Sequence, residues 1–128
     1  VNKIDIIQKK YKDDPWKVLV CCILLNQTTN QQVRPIITSF FQKWPDSFSV
    51  SERDFKEIRD LIRPTGFQNV KSKRIIGLSE KWSSGERNLK HLPGVGKYAM
   101  EAWRIFIDGD MDFTPSDKKL RIYVDENI

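Results

Sequence analysis

The sequence predicts an all-α protein, a helical bundle within one domain. Three observations carry this. Apolar residues recur at helical spacing through most of the chain. Asp, Ser, Thr and Asn stand just ahead of several apolar stretches, where helix caps belong. The apolar run Val18 to Leu25 would also suit a buried strand, but no partner strand is visible elsewhere.

Ile4, Ile7 and Tyr11 form one stripe on a first helix. Asp14 then caps a second helix with Pro15 at its first position, and Trp16 to Leu25 is apolar nearly all round, as a central buried helix is. Thr29 and Gln32 form a capping-box pattern for a third helix, which Pro35 should kink or delay and whose core face is Ile36, Ile37, Phe40, Phe41 and Trp44. Ser51 to Asp54 open a fourth, with Phe55, Ile58, Leu61 and Ile62 inward, ending before Pro64 and Gly66. Asn69 is placed to cap a fifth helix burying Val70, Ile75, Leu78 and Trp82. A short helix near Asn88 to His91 precedes one from about Lys97 to Ile107, and Ser116-Asp117 open the last.

At 128 residues and 15.1 kDa, with 39% hydrophobic and 30% charged residues, the chain suits a single soluble globule. A start at Val1 fits a domain cut from a longer chain. Net charge +5 and a pI near 9.3 favour a polyanionic partner. Cys21 and Cys22 are adjacent, which disfavours a disulfide and suits two core residues in a reducing compartment. With one histidine, His91, and no spaced Cys/His set, no metal site is expected. No run is long enough to span a bilayer and no signal peptide is apparent, so no membrane partner is expected.

The most informative stretch is Leu92-Pro93-Gly94-Val95-Gly96-Lys97-Tyr98. Glycines one residue apart before a helix let the backbone turn tightly, and amides at the positive helix end suit a phosphate. An ordinary tight turn between packed helices is the plain alternative. Asp117 opens a helix about twenty residues later and reads either as a reactive carboxylate or as a simple N-cap.

The hairpin string resembles the helix-hairpin-helix of the endonuclease III superfamily of DNA glycosylases, and Asp117 matches the position of that superfamily's catalytic aspartate. Gln8, Asp14-Pro15-Trp16-Lys17, Leu25-Asn26-Gln27-Thr28, Pro64-Thr65-Gly66-Phe67, Arg104-Ile105-Phe106 and the Pro-x-Asp-x-Lys-Leu pattern are similar to its mismatch thymine/uracil glycosylase branch, that of the methyl-CpG-binding domain glycosylases. The resemblance implies that residues 1–128 form one glycosylase domain of two helical lobes with the active site in the cleft between them. It implies a monomer working in the nucleus on double-stranded DNA that holds a G·T or G·U mismatch, and no cofactor beyond a monovalent cation at the hairpin backbone.

Asp117 is then the catalytic group, stabilising an oxocarbenium-like sugar and orienting the attacking water. Tyr98 and Gln8 match pocket residues for the extruded base, although a solvated helix glutamine suits Gln8 as well. Gln27 occupies the wedge position, where relatives carry arginine, with Thr28 beside it. Phe67 matches the residue beside the estranged base; its placement among Pro64, Gly66 and Asn69 favours an exposed turn over the core. Gly94, Val95, Gly96, Lys97 and Lys119 complete the DNA-binding set; Lys118 or Lys119 is otherwise merely solvated. The lyase members carry a lysine where this chain has Tyr98, and neighbouring Lys97 should point elsewhere, about 100° round the helix. Water rather than an amine should therefore complete the displacement. Lys118 replaces the histidine usual after the aspartate, and Ala99-Met100 a Thr-Ala pair. The rival readings are a non-enzymatic DNA-binding module, which needs no Asp117, and an adenine-excising glycosylase, which carries different residues around the wedge.

Overall fold

The computed structural model describes residues 3–128. Its helices are α1 (Ile7–Lys10), α2 (Pro15–Leu25), α3 (Asn30–Lys43), α4 (Phe55–Ile62), α5 (Gln68–Ser83), α6 (Lys97–Phe106) and α7 (Lys118–Asn127). Single 3-10 turns lie at Ser47–Ser49, Glu52–Asp54, Arg63–Thr65 and Leu89–His91, and the described residues hold no strand.

Helix α2 is the hub. It packs against α1, α3, α5 and α6, and Val18 to Cys21 and Leu24 are fully buried. Asp14 starts it, accepting from the Lys17 N–H at 3.2 Å with Pro15 at the first position. A buried leucine such as Leu19 contributes about 2–5 kcal/mol relative to alanine. On one side α4 packs against both α3 and α5; on the other lie α1 and α6, with α7 on α6. The Ile4 N–H donates to the Glu126 carboxylate at 2.7 Å, drawing the first and last segments together. A single apolar core runs through both lobes.

Four expectations need correction. The first helix is one turn only, entered from extended backbone at Ile6, and it is Ile6, Ile7 and Gln8 that are buried while Ile4 and Tyr11 are half-buried. Helix α3 starts at Asn30 and continues past Pro35 without a break or delay, because that residue faces solvent and only one ladder bond is lost. Helix α5 starts at Gln68 behind a left-handed Phe67, so Asn69 lies inside it. Its buried face is consequently rotated: Val70 is 46% exposed, and Lys71, Ser72, Ile75, Leu78 and Ser79 point inward.

Candidate active site and nucleic-acid interface

Asp117 does cap α7, its Oδ2 accepting from the Leu120 N–H at 3.0 Å. The loop before it is held from α6. The two Glu101 carboxylate oxygens accept from the Ser116 N–H and the Ser116 hydroxyl, both at 2.9 Å. This bracket has no sequence signal, since Glu101 reads as an ordinary helix carboxylate. Asp117 is half-buried and lines a cleft of about 570 Å³ with Ile6, Leu25, Gln27, Thr28 and Tyr98. Lys97, Lys118 and Lys119 border the same cleft, all exposed.

Tyr98, in the first turn of α6, reaches inward, where its oxygen accepts from Gln8 Nε2 at 2.7 Å. Gln8 is fully buried rather than solvated; its Nε2 also lies 3.5 Å from Cys22 Sγ, and its Oε1 has no partner among the described residues. Burial pushes the Tyr98 phenol well above its ordinary value; Cys22 and Asp117 add to the rise and the Gln8 bond opposes it. Tyr98 therefore stays an O–H.

The hairpin is tight because its neighbours require it. Gly94 has φ +77°, and a Cβ there would come within 2.8 Å of Ile23 Cδ1 and 3.2 Å of Arg74 Cβ. Behind it, Pro93 packs on Gly77 of α5, where a Cβ would meet Pro93 Cγ at 3.1 Å. The Val95 N–H closes the turn onto the Leu92 carbonyl, and α6 begins at Gly96, whose carbonyl accepts from Met100. Gly94, Val95 and Gly96 line a second cleft of about 420 Å³ with Arg74 and Lys97. The two clefts share Asn26, Lys97 and Tyr98. No carboxylate lines the hairpin cleft, and its charged side chains, Arg74 and Lys97, suit an anion.

Lys97, expected to point elsewhere, is among the residues that border the Asp117 cleft. Gln27, at the Asp117 cleft, is exposed with φ +61°; Phe67, 60% exposed with φ +48°, lines neither cleft. Asp117, Tyr98, Gln27, Thr28, Lys97 and Lys119 are thus brought together, with Gln8 behind them and the hairpin beside them. Among the described residues no group of three or more His, Cys, Asp or Glu could hold a metal ion, and no helix is long and apolar enough to cross a membrane.

A helical fold with a Gly-Val-Gly hairpin between α5 and α6, and a carboxylate at a helix start in the adjoining cleft, defines a helix-hairpin-helix protein. Residues 20–128 match the family model described as HhH-GPD superfamily base excision DNA repair protein, and the chain belongs to that family. It is 38% identical over 127 residues to the methyl-CpG-binding domain protein 4-like protein of Arabidopsis thaliana, covering 94% of this chain and 28% of the relative. Identity to the thymine-DNA glycosylase of Aeropyrum pernix is 33% over 93 residues, covering 66% of this chain and 42% of that protein. The solved structure of a thermostable thymine-DNA glycosylase superposes with a TM-score of 0.71 at 27% identity, covering 84% of this chain and 53% of the other. The chain therefore spans about a quarter to a half of the length of these relatives.

Proposed function

We propose that this domain is a monofunctional DNA glycosylase that extrudes thymine or uracil mispaired with guanine from double-stranded DNA and hydrolyses its N-glycosidic bond. The observation that carries the reading is Asp117 and Tyr98 lining one cleft beside the hairpin, with Gln8 bonded behind Tyr98. Names of relatives such as thymine-DNA glycosylase support the substrate class.

The reactive bond is inaccessible in a stacked duplex, so the base must leave the helix. Hairpin amides with Arg74 and Lys97 grip a phosphate without reading sequence. Gln27 fills the vacated space and Phe67 stacks beside the unpaired guanine. Tyr98, whose oxygen already accepts from Gln8, keeps its own hydrogen for a pyrimidine carbonyl. Gln8, buried behind Tyr98, holds that hydroxyl in place. One Asp117 oxygen is anchored to the α7 backbone; the other faces the sugar, stabilises the cation and takes the proton of the attacking water. The water oxygen bonds to C1′, and the electron pair of the broken C1′–N bond leaves with the base.

Lys97 at the cleft border favours a second reading, in which its amine attacks C1′ and the strand is cut through a Schiff base. Labelled duplexes with G·T, G·U or matched pairs, treated with and without hot alkali and with borohydride, separate the two. The expected result is alkali-dependent breaks at the mismatched pyrimidine, a loss of at least about a hundredfold in Asp117→Asn, and no borohydride-trapped complex. A trapped complex abolished by Lys97→Ala would establish the lyase, and tight binding without breaks would leave a DNA-binding module.

A further inference from the structure

A buried lysine that the proposed chemistry does not use joins the two loops meant to enter DNA. Lys71 sits in the first turn of α5 with none of its surface exposed. Its Nζ donates to the Leu24 carbonyl at 2.8 Å, the Thr65 carbonyl at 2.7 Å and the Thr65 hydroxyl at 3.3 Å. All the hydrogens of the ammonium are therefore engaged. Leu24 lies in the last turn of α2, where carbonyls lack helical partners, and Gln27 follows three residues on. Thr65 closes the turn two residues before Phe67.

Gln27 and Phe67 share a further property. They are the non-glycine residues with positive φ among the described residues, at 61° and 48°. Such conformations persist only where the surroundings over-determine them, and they gather at functional sites. One ammonium stands at the root of both.

We propose that Lys71 is a positioning residue that locks the Gln27 loop and the Phe67 turn in register, so that both side chains enter the duplex as one unit. Desolvation pulls the lysine down to about 8. A charge so disfavoured by its setting is held there by the carbonyls it ties together.

The inference rests on the roles proposed above for Gln27 and Phe67, and its test has one readout independent of them. The affinities of wild type, Lys71→Met and Lys71→Arg are measured for a duplex holding a tetrahydrofuran abasic site opposite guanine and for a matched duplex, alongside hydrogen exchange at residues 26–28 and 65–67. Lys71→Met should lose about tenfold of the preference for the abasic duplex at unchanged matched-duplex affinity. Exchange should accelerate at both loops together, and Lys71→Arg should restore most of both. Equal weakening on the two duplexes, unchanged preference, or exchange rising at one loop only would overturn the proposal. If Lys71→Met does not fold, a Gln27→Ala/Phe67→Ala cycle replaces it: losses that fail to multiply support the lock, and multiplicative losses overturn it. A wild type without preference for the abasic duplex sinks the glycosylase reading, while coupled exchange at the two loops still decides the role of Lys71.

Discussion

At the scale of single residues, the proposed chemistry depends on where Asp117 is held. The Glu101 carboxylate takes both donors of Ser116, the residue immediately before it. Glu101→Ala removes that bracket from Ser116, a residue of the cleft wall, and leaves Asp117 itself unchanged. We expect the single-turnover excision rate to fall about tenfold with DNA affinity unchanged, since small misplacements of a reacting group are costly; an unaltered rate would show that the α7 cap alone suffices. Asp117 was legible in the sequence because a cap and a hairpin-to-aspartate spacing coincide. Gln8 was half-legible: its position suggested a pocket, but nothing local told a buried glutamine from a solvated one. Lys71 and Glu101 were not legible at all, because each acts on carbonyls or donors far along the chain or on another element.

Helix starts were read well where the cap is a side chain, as at Asp14, Thr29 and Asp117, all of which accept from the backbone three residues on. They were misread at α5, whose start is a left-handed backbone at Phe67 with no side-chain cap. That one error rotated the expected buried face and put Val70 inside. The hairpin between α5 and α6 is packed closely against α2 and α5. Gly94→Ala combines a left-handed φ with contacts under 3 Å to the Ile23 side chain, so the turn must open or α2 must shift. The expected result is a loss of roughly 1–3 kcal/mol in unfolding free energy together with weaker binding to matched DNA, read by urea melts and a binding titration. Gly96→Ala, with φ −108° and open space around it, should leave the melt unchanged.

Across the whole molecule, titration should follow the core. Burial raises the Cys22 thiol from 9.0 to about 12, and it raises Cys21 and Tyr98 as well. A group whose folded value is raised stabilises fully below its unfolded value and loses that contribution as pH climbs through the folded one. Stability should therefore fall between about pH 9 and 12. Lys71 acts with the opposite sign: lowered from 10.5 to about 8, it binds fewer protons folded than unfolded in that window, so its share rises from pH 8 to 10.5. Two thiols and a phenol outweigh one amine, and urea unfolding should show a maximum near pH 9 followed by a steep decline. Cys22→Ala should flatten the decline, and a profile indifferent to that change would sink the assignment. The single core that joins the lobes makes this a property of the molecule rather than of one half.

The tryptophans lend themselves to optical measurement. Trp16 and Trp44 are buried, Trp16 donating to Ser79 at 3.0 Å, while Trp82 and Trp103 meet each other with Arg87 laid over Trp82. None lines the Asp117 cleft or the hairpin cleft. Intrinsic emission should thus report unfolding and stay nearly silent when DNA arrives. A single tryptophan introduced at Phe67 would add a signal for DNA on top of that quiet background.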